Sequence, residues 1–209
     1  MLRKLSSLVN IYDSSTMILL ITQIGCCLKL EKRLSNQLGK IVLKSLRLGA
    51  ERSRAGTEFA KAVGQKLQDL GWEVRIERKV TEILGQRFEQ DFGDVDVLAW
   101  NDSGKVLIIE CKKLFYSKTV GEVSEQLSDY RGIIKDSGVK DDLLKHLNRL
   151  ELIHSNLSSL RNYIGATSEL TLKGYIVFST TVPMQYAWEK LDEKTSIATF
   201  AELNDNFEK

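Results

Sequence analysis

Residues 94–112 constrain the fold most tightly. DVDVLAW (94–100) and KVLIIECK (105–112) are two apolar runs joined by Asn101, Asp102, Ser103 and Gly104. Two such runs across a short polar turn ending in glycine predict a β-hairpin. With Gly104 in the left-handed position of a three-residue loop, Asn101 pairs with Lys105, and counting back sets Asp96 opposite Glu110.

The second strand raises a chemical question. Val106 to Ile109 are bound for the interior, yet the run ends in Glu110, Cys111 and Lys112. Alternation along a strand puts Glu110 and Lys112 on one face and Cys111 on the other. Directly opposed residues have Cβ atoms roughly 4.5–5.5 Å apart, so Asp96 and Glu110 repel unless positive charge lies between them. A divalent cation supplies that charge, and oxygen ligands suit magnesium. Lys112, next along the same face, is set to hold or help deprotonate a water. Two acids, a lysine and a metal are the parts for metal-assisted phosphodiester hydrolysis. Asp94 shares the face of Asp96 and would sit opposite Lys112. Register favours Asp96 as the ligand and leaves Asp94 to pair with the lysine.

The surrounding pattern is mixed α/β. Phe59, Val63, Leu67 and Leu70 form one stripe, predicting a helix over 57–70 that Gly71 stops. WEVRIERKV (72–80) alternates as a half-buried strand, and polar residues 81–93 read as a loop or hairpin. Val120, Val123, Leu127, Tyr130 and Ile134 predict a helix over 118–135, and leucines at 143, 144, 147, 150 and 157 predict a second over 141–163. GYIVFST (174–180) is a strand. A helix around 184–191, a short strand near 196–200 and a helical turn at 200–208 close the chain. The expected architecture is an α/β fold with a mixed central sheet flanked by helices.

GDVDVLAW followed by VLIIECKK resembles the PD-(D/E)XK nuclease superfamily, the restriction-endonuclease-like fold, whose motif is an acid on one strand and Asp/Glu-X-Lys on the next. Asp96, Glu110 and Lys112 match those positions, and the family's αβββαβ core agrees with the element order. The resemblance covers about residues 54–180, or 54–205 at its widest. Val95 stands where the family's proline is often found. GTEF supplies Glu58, matching a first-helix glutamate of many members, and Gln126-Leu-Ser-Asp-Tyr130 matches a Gln-x-x-x-Tyr motif. The resemblance implies that Asp96 and Glu110 bind Mg²⁺ (or Mn²⁺ in its place), with the Cys111 backbone carbonyl as a third ligand. It implies that Lys112 positions the attacking water, Glu58 assists a ligand or a second metal ion, Gln126 orders the site and Tyr130 contacts a substrate phosphate. It implies an Mg-dependent endodeoxyribonuclease of restriction, repair or defence type, with DNA favoured over RNA. Lys113, Lys118, Arg131 and Lys135 either neutralise phosphates or are ordinary solvated charges.

The rest of the composition narrows the setting. A net charge of +2 does not by itself argue for nucleic acid. Residues 1–50 carry eight Lys/Arg against Asp13 and Glu31, with apolar residues at helical spacing. They read as a basic helical extension to a 51–209 domain: a packed helix, a homodimer or partner-protein arm, or a DNA-contacting arm. The apolar stretch 17–28 is shorter than the roughly 20 residues of a membrane span, so a membrane is disfavoured. Cys26, Cys27 and Cys111 make no secreted disulfide framework and suit a cytoplasmic setting. Beside them stand only His146 and His154, read as structural or surface residues, and no zinc spacing emerges. Trp72, Trp100 and Trp188 read as core. The rival reading is a catalytically inactive nucleic-acid- or protein-binding module on the same fold.

Overall fold

The computed structural model describes residues 51, 53–114, 119–184 and 195–207, and all but the first belong to the unit that runs from Ser53 to Lys209. Residues 1–50, Lys118, Trp188 and nearly all of the helix expected around 184–191 lie outside the described residues. The elements are α1 (53–69), β1 (Glu73–Lys79), α2 (Val80–Leu84), β2 (Asp94–Trp100), β3 (Lys105–Lys112), α3 (Val120–Ser128), α4 (Asp142–His154), α5 (Leu157–Ile164), β4 (Thr171–Phe178), β5 (Thr195–Thr199) and α6 (Leu203–Phe207). The strands form one mixed sheet in the order β1-β2-β3-β4-β5. β1, β2 and β3 pair antiparallel, whereas β3–β4 and β4–β5 are parallel. The fold is therefore the mixed α/β sheet flanked by helices that the sequence predicts.

The central hairpin follows its sequence closely. Asn101 N–H donates to the Lys105 carbonyl at 3.1 Å and Gly104 N–H to the Asn101 carbonyl at 3.0 Å. Gly104 sits at φ 80°, where a side chain would also run into the Glu169 carbonyl, so this turn admits only glycine. β3 is buried along Val106–Ile109 because helices cover both faces of the sheet. On one face Phe59, Val63 and Leu67 of α1 and Phe207 of α6 pack on Val97, Ala99, Leu107, Ile109 and Val177. On the other, Leu150, Ile153 and Leu160 from α4 and α5, with Val80, Ile83 and Leu84 of α2, pack on Leu98, Val106 and Ile108. α1 ends in a Schellman turn: Trp72 N–H reaches the Leu67 carbonyl at 3.0 Å and Gly71 N–H the Gln68 carbonyl at 2.8 Å. Trp72 is core, and its indole N–H donates to the Phe207 carbonyl at 3.1 Å.

Three expectations on secondary structure need correction. Residues 80–84, expected to end a strand and begin a loop, form a short helix whose Val80, Ile83 and Leu84 bury on one side. The helix expected over 118–135 is only Val120–Ser128. A Thr119–Glu122 capping box starts it, and the chain then turns through Gly132 at φ 73°. Asp141 holds this turn by accepting the Arg131 and Ile133 backbone N–H groups at 2.9 and 3.0 Å. Tyr130 and Ile134 thus belong to a loop, though their spacing mimics a helix. The helix expected over 141–163 is two, α4 and α5, broken at Ser155–Asn156.

Candidate active site

The β2–β3 ladder pairs Val97 with Ile109 through Trp100 with Val106 and ends there, with Asp96 and Glu110 the next residue of each strand beyond the last pair. Asp96 Oδ2 accepts the Cys111 backbone N–H at 2.6 Å, which fixes the carboxylate beside the end of β3. Glu110 and Lys112 share a face, with Lys112 Nζ 3.1 Å from Glu110 Oε1. That face is the one covered by α4.

α4 brings three further groups. Asp142, His146 and Arg149 recur at intervals of four and three, one stripe of a helix. Arg149 Nη1 donates to Glu110 Oε2 at 2.6 Å, and its Nε donates to the Phe92 carbonyl at 3.1 Å. Asp142 Oδ2 accepts from Lys112 Nζ at 3.0 Å, and Oδ1 from Lys145 Nζ at 3.0 Å. α4 is set at this angle by Asp141, which caps it through the Leu144 N–H at 2.7 Å while also holding the 131–133 loop. Lys112 pairs with Asp142, not with Asp94, which is exposed on the surface.

Burial and charge set the protonation states. Burial raises Asp96, the Glu110 charge raises it further, and together they outweigh the Cys111 N–H, Lys112 and Arg149, so its pKa stands at about 7. Burial pushes Glu110 up too, but Lys112 and Arg149 hold it below the ordinary value. For Lys112, burial favours loss of the proton, yet Glu110, Asp142 and Tyr130 prevail and raise its pKa. Lys112 is therefore an ammonium at neutral pH and not a proton acceptor. Burial lowers His146 to about 4; it is fully buried, and among the described residues neither ring nitrogen has a hydrogen-bond partner. Burial pushes the Cys111 thiol well up, as befits a small core residue.

The other expected site residues divide. Tyr130 is buried, stacks edge-on against Phe178 with centroids 5.4 Å apart, and lies within the electrostatic reach of Lys112 and Asp142. Gln126 is half-buried on α3. Glu58 is exposed on α1, the helix on the other face of the sheet, and no described hydrogen bond or ion pair joins it to the acids. Lys113 and Arg131 are exposed, and Lys135 is paired with Asp129. Arg149 and Asp142 are the site groups that sequence reasoning missed; the one signal for them is that charged residues interrupt the leucine stripe of α4 on a single side.

The donor set bears on which metal fits. Among the described residues no group of three His, Cys, Asp or Glu side chains is arranged to hold a metal ion. A four-ligand zinc site is thus not formed there. Two adjacent carboxylates, one of them raised by burial and then by its neighbour's charge, fit magnesium, which keeps several waters and takes one or two protein carboxylates with substrate phosphate. No helix among the described residues is long and apolar enough to cross a membrane.

Fold and site together define a mixed α/β protein carrying a half-buried cluster of paired acids, lysine and arginine at the open end of its central hairpin. A family model described as anti-phage protein Upx-like matches residues 42–203, and the chain belongs to that family. Membership places it in defence against phage. No curated protein and no solved structure matches the chain.

Proposed function

We propose that this protein is a magnesium-dependent nuclease of the PD-(D/E)XK kind that acts in anti-phage defence by hydrolysing phosphodiester bonds, in DNA rather than RNA. The observation that carries the reading is the juxtaposition of Asp96 with Glu110 across the hairpin, with Lys112 beside them on the same face. Asp96 and Glu110 would hold the ion, with the Cys111 carbonyl as a third donor. The ion would supply Lewis-acid polarisation of the phosphate and a nucleophilic water.

The chain's own residues do the remainder. Lys112 keeps its proton at Nζ, so it serves the reaction as a fixed positive charge that orients the attacking water and offsets charge building on the phosphate. Asp142 anchors that ammonium from behind. Arg149 fixes Glu110 and prevents its carboxylate from turning away. Tyr130, stacked edge-on against Phe178, lies within electrostatic reach of the lysine.

The test is cleavage and binding of DNA by Lys112→Ala and Asp96→Ala. Lys112→Ala is expected to abolish cleavage while leaving DNA binding intact, and Asp96→Ala to remove Mg²⁺ binding as well. Cleavage at the wild-type rate by Lys112→Ala would refute the assigned site.

A further inference from the structure

A cleft of about 400 Å³ opens beside the acid cluster, between the 90–93 loop and α4. Its volume falls within the range of ligand clefts. Lys140, Lys145, Asn148 and Arg149 form one wall, and Phe92 and Gly93 form the other. Three cations therefore face a space whose lining includes one carboxylate, that of Asp91. This carboxylate is tied back, since its Oδ1 accepts the Gly93 N–H at 2.8 Å.

The cleft is joined to the site through Arg149. One edge of that guanidinium binds Glu110, and its Nε binds the Phe92 carbonyl in the opposite wall. A molecule in the cleft thus lies one side chain away from the paired acids. Lys145 leans on Asp142 at 3.0 Å. Lys140 is half-buried and, among the described residues, has no side-chain hydrogen bond or ion pair, and the same holds for the Asn148 amide. The cleft therefore contains an uncompensated ammonium and an unused amide donor, pointing to an anion with several acceptor oxygens.

We propose that this cleft seats the sugar-phosphate backbone of the nucleic-acid strand next to the bond that is cut, with Lys140 and Asn148 as its phosphate contacts. The proposal rests on the nuclease reading for why a strand comes there, but its test does not depend on cleavage. Duplex phosphates and a free nucleotide offer the same chemistry. A strand is favoured because the cleft is open and lies one side chain, Arg149, from the acids instead of closing around a single group.

The test is fluorescence anisotropy of a short fluorescein-labelled DNA duplex in EDTA, over a series of salt concentrations, for the full-length wild type, Lys140→Gln and Asn148→Ala. One lost phosphate contact lowers the slope of log affinity against log salt by about 0.9, which corresponds to roughly eightfold weaker binding near 0.1 M salt. That change is expected for Lys140→Gln, with an unchanged melting temperature, and a smaller loss without a change of slope for Asn148→Ala. Affinity and slope equal to wild type in both variants would overturn the proposal and leave the nuclease reading intact. Weakened binding by both variants of a protein that never cleaves would support the cleft and refute the nuclease. Wild type that binds no duplex would overturn the proposal, and capture of thymidine monophosphate alone by wild type would assign the cleft to a free nucleotide instead.

Discussion

Arg149→Met removes the guanidinium that clasps Glu110 while keeping a long apolar stem against the neighbouring core. The Arg149 side chain is 9% exposed and the Glu110 side chain 14%, so their bond at 2.6 Å is a buried ion pair. Breaking such a pair by deleting one partner costs about 3–5 kcal/mol, because the other charge is left stranded. Here the lower figure applies, since Lys112 remains 3.1 Å from the other Glu110 oxygen. The Phe92 carbonyl also loses its donor, but it lines an open cleft where water replaces it. The expected loss is about 3 kcal/mol, a fall in melting temperature of roughly 6–12 °C for a unit of this size. Calorimetry of wild type and variant in EDTA reads it directly. Saturating Mg²⁺ is expected to raise the variant's melting temperature more than the wild type's, because the ion replaces a missing positive charge at Glu110. A variant that melts within about 2 °C of wild type in EDTA would refute the claim that Arg149 holds this carboxylate in place.

Other consequences follow from the same contacts. Asp141→Ala removes a buried acceptor of three backbone N–H groups, those of Arg131, Ile133 and Leu144. It is expected to cost about 3 kcal/mol in urea unfolding; a loss under about 1 kcal/mol would show that the cap does not set α4. His146, lowered to about 4, contributes stability that is present above the ordinary value of 6.5 and is lost as pH falls toward 4. Asp96, raised to about 7, works in the opposite sense: its contribution grows as pH falls from about 7 toward 3.8. Between pH 6.5 and 4.5 the two nearly cancel in metal-free wild type, whereas Asp96→Asn is expected to lose about 2 kcal/mol, read from urea midpoints. A flat profile in that variant would show that His146 is not held neutral. In cells, Glu110→Ala is expected to abolish protection against a sensitive phage at unchanged protein level, as counted in plaques.

The sequence made the hairpin legible because its determinants are local. Alternation, Gly104 and the short turn fix the register of 97–100 on 106–109, which leaves Asp96 and Glu110 just beyond its last pair, where the Cys111 N–H holds Asp96. Arg149 and Asp142 were not legible for the opposite reason: they reach Glu110 and Lys112 across 39 and 30 residues, and only the packing of α4 on the sheet decides which of its polar residues face inward. The overlong helix at 118–135 has a similar origin. Tyr130 and Ile134 continue the helical spacing, but Gly132 and the distant Asp141 carboxylate capture the backbone into a loop. Glu58 matches the resemblance by residue type, and the structure adds only that it is exposed on α1 with no described hydrogen bond or ion pair to the acids.

The most direct test of the account is cleavage of supercoiled plasmid and of single-stranded DNA with Mg²⁺, Mn²⁺ or EDTA, wild type beside Glu110→Ala. Cleavage that requires the metal and disappears in the variant is expected. Failure of wild type to cleave under any metal while it still binds DNA, or equal cleavage by Glu110→Ala, would contradict it.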